Sequence, residues 1–215
     1  MKLNWAERWA VNNPIRVIQQ GLEIRWMRKA AGDLPTGAAV LELGCGRGAG
    51  ARLVLREFSP GLLHATDLDL GMLRRAARYP GPGRHRRLRL LAADAARLPY
   101  PAGSFHAVFG FGVMHHVPAW REALGEVARV LRPGCMYFLE ELYPSAYANP
   151  LTRRILLHPR SDRFEAHSWR EELVARGFQL LEVLEHPLVG ILGVARLAAQ
   201  PRAMANRTEA RTAKG

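Results

Sequence analysis

Apolar residues in this chain gather into short runs that end in acids or glycines, and between the runs they recur at helical spacing. Val40-Leu41-Glu42-Leu43 is the first run, and Ala51 to Phe58 behind it repeats like a helix. Leu63 to Asp69 predicts a second strand ending in acid, followed by a helical stretch from Leu70 to Ala77. Leu88 to Ala93, closed by Asp94, predicts a third strand, and Ser104 to Gly110 a fourth. A helix from Glu122 to Leu131 is halted by Arg132-Pro133-Gly134, because proline cannot continue the repeat and glycine readily caps it. A fifth strand begins near Cys135 and runs toward Glu140 and Glu141. Ser168-Trp169-Arg170-Glu171 fits the capping-box pattern and starts a helix to Arg176. Gln179 to Leu184 and Leu188 to Leu197 predict the sixth and seventh strands. Buried strands alternating with helices predict the α/β class, a doubly wound and mostly parallel sheet with helices on both faces.

Between the first strand and its helix lies Gly44-Cys45-Gly46-Arg47-Gly48-Ala49-Gly50, with glycine at every second position. Glycine takes positive φ and lets backbone come into contact with a ligand. The crevice of such a fold opens at the carboxyl ends of the strands. Gly44, Gly46 and Ala49 satisfy the loose dinucleotide pattern G-x-G-x-x-G/A, so a nicotinamide cofactor is one reading. Glu42 argues for another, since a negative charge before the first glycine repels a pyrophosphate and tolerates an ammonium or sulfonium. Asp67, about 20 residues on, can hold ribose hydroxyls of either cofactor.

The ordered set from Val40 to Gly134, with Leu-Pro after the third strand and Gly112-Val113-Met114-His115-His116 after the fourth, resembles the class I S-adenosylmethionine-dependent methyltransferases. It looks most like the small-molecule branch that includes the ubiquinone and menaquinone biosynthesis enzymes, and the likeness covers roughly residues 38 to 185. That resemblance implies a Rossmann-like seven-stranded fold, with S-adenosylmethionine as donor and S-adenosylhomocysteine as product. It implies that Glu42 and the loop of Gly44, Cys45, Gly46 and Gly48 face the methionine half of the cofactor. Asp67 and Leu68 would meet the ribose, Asp94 and the Ala95 N–H the adenine edge, and Gly110 and Phe111 the reactive end. Helix capping is the competing role for Asp67 and Asp94; Asp69 is the better cap, with a helix directly behind it. Two departures from the pattern stand out: His106 replaces an acid after the Phe of the fourth strand, and Cys135 replaces a glycine after Arg-Pro-Gly.

Composition narrows the classes. The 215 residues suit one folded domain with a 48% hydrophobic content. We divide them into an N-terminal helical extension (1–37), the methyltransferase-like domain (38–200) and a polar tail (201–215). Two cysteines without a Cys-x-x-Cys pair argue against a disulfide scaffold and most zinc sites, no metal set is expected, and a reducing cytosol fits. No apolar run reaches the ~18 residues of a membrane span, and the start is unlike a signal peptide. The net charge of +12 gathers at Arg84 to Arg89 and Arg196 to Lys214. A basic patch attracts phosphate, but the amine-methylating Asn/Asp-Pro-Pro-aromatic signature is missing, so nucleic acid is a disfavoured partner.

Asn13-Pro14 reads as a cap with proline at the first helical position. Val11, Ile15, Ile18, Leu22 and Trp26 behind it form one stripe, expected to pack as a lid over the crevice. The same segment is basic, at Arg8, Arg16, Arg25, Arg28 and Lys29, which also fits peripheral contact with an anionic membrane. Trp9, Glu140, Tyr143 and Tyr147 are candidate acceptor-site residues, with Trp169 as a further aromatic. Methyl transfer asks mainly for positioning and exclusion of water. His115 and His116 are the candidate bases, since imidazole titrates near neutrality. Glu140 and Glu141 come next, one expected in the crevice and the other in solvent. The expected function is methyl transfer to a small, partly apolar acceptor, quinone-, lipid- or natural-product-like. RNA methylation and non-catalytic cofactor binding are the alternatives, and oligomeric state is left open.

Overall fold

The computed structural model describes residues 14–78, 85–147 and 163–199. The order of elements is α1 (Pro14–Ala31), β1 (Ala39–Leu43), α2 (Ala49–Glu57), β2 (Leu62–Asp67), α3 (Leu70–Ala76), β3 (Leu88–Ala92) and β4 (Phe105–Phe111). Then come α4 (Trp120–Val130), β5 (Leu131–Leu142), the short α5 (Pro144–Tyr147), α6 (Ala166–Ala175), β6 (Phe178–His186) and β7 (Gly190–Leu197). The strands form one seven-stranded sheet in the order β3-β2-β1-β4-β5-β7-β6. β1 to β5 pair in parallel, and β7 runs antiparallel to both β5 and β6. The fold is Rossmann-like α/β, as expected.

Alternation along the strands gives the sheet two cores. From β1, Leu41 and Leu43 face one side, and Val40 faces the other. On the first side α4 and α6 close over Trp120, Phe164 and Trp169, with ring centroids 4.5–5.7 Å apart. On the second, α1 and α2 cover Phe109 and Phe138, stacked at 4.4 Å, with Phe58 edge-on to both at 5.1 Å. Trp169 is fully buried in the first core, so it is a packing residue and lines no acceptor site. Trp169→Ala is expected to cost about 3–5 kcal/mol, the usual loss for a buried Trp. Urea unfolding would measure it, and a loss below about 1 kcal/mol would mean that the site collapses to fill the gap.

Several boundaries move from the sequence reading. The α6 helix starts at Ala166, not Ser168; Ser168 is its third residue, and its hydroxyl accepts the Glu165 N–H at 3.0 Å. α4 starts two residues earlier, at Trp120, and β5 follows it at once. Leu131 pairs with Phe105, residues 132 to 135 bulge out around the proline, and Met136 resumes the ladder opposite Ala107. His106 fills the place of the missing acid by accepting the Ala39 N–H at 3.1 Å on Nδ1. Asp69 caps α3, its side chain accepting from the Gly71 N–H at 2.8 Å.

The largest correction concerns α1. The residues that pack are Gln20, Gly21, Ile24 and Met27, on the face toward α2 and β7. Gly21 packs over Leu53 of α2, where a Cβ would sit in ordinary contact at 3.8 Å. Ile15, Ile18 and Leu22, expected to be the packing stripe, point outward. Val11 lies outside the described residues.

Candidate active site

At the carboxyl ends of β1, β2, β4 and β5 the glycine turn, the strand-ending acids and the first turns of α1 enclose a cavity of about 430 Å³. The turn is shaped by its own backbone. Gly44 has φ 61°, and a Cβ there would stand 2.5 Å from Val113 Cγ2. Gly46 has φ 54° and faces open space, so the main chain is bare toward the cavity. The Cys45 N–H donates to Thr66 O (2.8 Å), and Asp67 Oδ2 accepts from the Gly46 N–H (2.8 Å). Asp67 Oδ1 takes the Asp69 N–H at 2.8 Å. One carboxylate thus braces the turn after β1 and the turn after β2 together.

Glu42 lies under this turn, 2% exposed, on the α1–α2 side of the sheet. A Cβ on Gly50 would stand 2.1 Å from Glu42 Oε1, so only glycine leaves room for it. Burial, then the nearby Asp67 charge, pushes its carboxyl up to about 8. Its Oε2 is buried with no hydrogen-bond partner. A buried carboxylate oxygen without a donor is costly, and a cation in the cavity would satisfy it.

Glu140 and Glu141, neighbours on β5, point to opposite faces as strand residues must, but both faces are covered and neither meets solvent. The solvent-facing role expected for one of them is therefore corrected. Glu140 turns to the α1 side and pairs with Arg16, which also binds Glu23 at 2.9 Å. Burial pushes Glu140 up to about 7, with the Arg16 charge working the other way. Glu141 turns to the α4 side and organises the turn after β4. Its Oε1 accepts from the Val113 and Met114 N–H groups (3.2 and 2.8 Å), and its Oε2 from the His115 N–H (3.2 Å). Oε2 also lies 2.8 Å from His115 Nδ1. An ionised carboxylate only accepts, so Nδ1 carries the proton and the lone pair of a neutral ring is on Nε2.

The order of this sheet and the acids at its strand ends agree with the family whose model, described as a methyltransferase domain, matches residues 40–134. Over those residues this chain is similar to a methyltransferase domain. Its curated relatives include the fatty-acid O-methyltransferase of Mycolicibacterium smegmatis, 36% identical over 111 residues, which are 50% of this chain and 38% of that protein. The demethylmenaquinone methyltransferase of Thermus thermophilus is 38% identical over 136 residues, 60% of this chain and 59% of that one. The chain therefore spans between about two fifths and three fifths of the length of these relatives. Among solved structures, an S-adenosylmethionine-dependent methyltransferase from Mesorhizobium loti superposes with a TM-score of 0.64 at 19% identity. That match covers 80% of this chain and 97% of the other, and shows the fold.

On the wall of the cavity stand Glu42, Gly44, Cys45, Gly46, Asp67 and Leu68, then Asp94, Ala95, Phe111, His115, His116 and Glu140. Gly48 and Gly110 do not line it. Gly48 backs onto Ala76 of α3, and Gly110 lies over the buried Tyr137 ring. Tyr143 is buried and hydrogen-bonds Glu185, away from the cavity. Trp9 and the Tyr147 side chain lie outside the described residues. Burial and the charges of Glu42 and Asp67 raise the Cys45 thiol well above its ordinary value, which keeps it neutral. Arg16 and Gln20 are wall residues that the sequence reading did not assign. Only their place in α1 could have signalled them, and the apolar stripe pointed to a different face.

The residues present fit S-adenosylmethionine. Glu42, an acid without a donor beneath the bare glycine turn, then Asp67 at the end of β2, and exposed Asp94 with Ala95 at the far end match a cation, a ribose and an adenine in that order. Asp94 Oδ1 accepts the Ala96 N–H at 2.9 Å, which holds the turn that presents the Ala95 N–H.

Proposed function

We propose that this chain transfers a methyl group from S-adenosylmethionine to an acidic oxygen or carbon of a small, partly apolar acceptor of lipid or quinone type, with His115 as the base. The observation that carries the reading is the Glu141–His115 pair on the wall of the cavity. Bound at the glycine turn, the cofactor supplies an electrophilic methyl on a sulfonium. Glu42 would hold the ammonium, Asp67 the ribose hydroxyls, and Asp94 with Ala95 the adenine edge. His115 would take the acceptor's proton on Nε2 as the acceptor's electron pair forms the bond to the methyl carbon and the methyl–sulfur bond breaks, its pair staying on the sulfur of S-adenosylhomocysteine; the imidazolium would then pass the proton to solvent. Glu141 fixes the tautomer and offsets the charge of the resulting imidazolium. Phe111, Val113, Val117, Pro118 and Leu142 give the cavity an apolar side next to His115, which excludes water from the reacting groups and suits an apolar acceptor. The fatty-acid and demethylmenaquinone names of two relatives support the same class.

Calorimetric titration with S-adenosylhomocysteine is expected to give micromolar binding that Asp67→Ala weakens by at least about tenfold, since it removes both the ribose acceptor and the brace of the glycine turn. Labelled methyl from the donor should then enter lipid or quinone fractions and not RNA. Transfer to RNA alone would overturn the acceptor class, and no binding would overturn the cofactor.

A further inference from the structure

The outward face of α1 reads Ile15, Ile18, Leu22, Arg25, Lys29, a 3-4-3-4 spacing that keeps all five on one line along the helix. The three apolar members are 77%, 67% and 59% exposed. Single exposed aliphatic residues are ordinary, but a continuous line of them marks a contact surface. Among the described residues no element covers it, and α1 is anchored through Gly21, Ile24 and Met27 on its opposite face. The apolar end of the line begins at the site: Arg16, next to Ile15, lines the cavity and pairs with Glu140.

A second exposed pair lies at the same end of the sheet. Leu188 and Val189 form the β6–β7 turn and are 65% and 52% exposed. The Val189 carbonyl accepts the Tyr143 N–H at 3.0 Å, just past the carboxyl end of β5. Aliphatic tips thus project from two elements beside the cavity.

We infer that this face docks on an anionic lipid membrane, with Ile15, Ile18 and Leu22 entering the acyl boundary and Arg25 and Lys29 meeting headgroup phosphates. The inference rests on the proposed function in one respect: a partly apolar acceptor would be drawn from that membrane into the adjoining cavity. Charge favours lipid over a second copy of the chain. The line carries no acid, so a copy docked through it would bring no countercharge to Lys29 or to the exposed side of Arg25, whose Nε lies 3.5 Å from Glu57 of its own chain, whereas anionic headgroups supply one. The chain's net charge of +12 adds a longer-range attraction to the same surface.

Flotation of the full chain with vesicles of phosphatidylcholine and phosphatidylglycerol, against phosphatidylcholine alone, tests this. The wild type should float with the anionic vesicles and be released by salt well above about 0.15 M. The I18E/L22E and R25E/K29E variants should each partition at least about tenfold less, with unchanged S-adenosylhomocysteine affinity as proof of folding. Failure of the wild type to float, or variants that float like it, would overturn the inference. So would a wild-type dimer that I18E/L22E splits on size exclusion. Loss of cofactor binding by the wild type would sink the proposed function and leave the vesicle result standing on its own.

Discussion

His115→Ala is expected to lower kcat by about 100- to 10,000-fold, the usual contribution of a positioned base. S-adenosylhomocysteine affinity should stay within about threefold, because the glycine turn and its acids do not depend on the imidazole. Glu141→Gln gives the complementary result. The amide can keep part of the turn in place, but it can present its NH2 to Nδ1 and reverse the tautomer, so that Nε2 becomes a donor. Its kcat should fall nearly as far as that of His115→Ala, and the double substitution should add little more, as groups acting as one unit do. Full activity in either single variant would remove the dyad from the reaction and leave deprotonation to water.

Glu42 is the second large effect, and it appears in protons as well as affinity. In the empty cavity its carboxyl titrates near 8, so at neutral pH it is mostly protonated. A bound ammonium favours the ionised form and expels that proton. Cofactor affinity should therefore climb as the pH rises from 6 toward 8, and titrations in buffers of different ionisation enthalpy should report proton release near pH 7. The E42Q variant should lose the release and bind about 10- to 150-fold more weakly, the value of one hydrogen bond to a charged group. Folding carries the opposite sign. The folded chain keeps this proton up to about 8 and the unfolded chain gives it up near 4.5. The stability it brings is complete below 4.5 and lost as the pH passes through 8. The E42Q variant without cofactor should lack that alkaline loss. Cofactor affinities that stay flat from pH 6 to 8 would show that Glu42 does not meet the cation.

The glycine-turn end of the cavity was legible because the residues that shape it are local in sequence. Glu42, Asp67 and Asp94 each end a strand, and a strand end in this fold is a place on the crevice. The other half was not, because it depends on pairs far apart in the chain. Arg16 reaches Glu140 across 124 positions, and Glu141 reaches His115 across 26. Alternation along β5 predicted that its two acids diverge, but which faces were covered depended on α1 and on the turn after β4. Periodicity in α1 failed for a related reason. Its sequence offers two lines, Ile15-Ile18-Leu22 and Gly21-Ile24-Met27, and the more apolar one is not the buried one. The buried line carries a glycine and adjoins the polar Gln20, so a hydrophobic pattern does not pick it out. Trp169 looked like a site aromatic in a loop-rich region, yet its helix starts two residues earlier and turns the ring into the core.

The order β5-β7-β6 also sets a sequence of events during synthesis. β1, β2, β3 and β4, with the glycine turn and Asp67, can assemble once residue 111 has left the ribosome. β5 cannot be completed then, because Glu140 and Glu141 lie opposite Leu192 and Ile191 of a strand made last. The glycine-turn end of the crevice can therefore take shape on the nascent chain, while the end that holds His115 and its carboxylate waits for β7 to slide between β5 and β6.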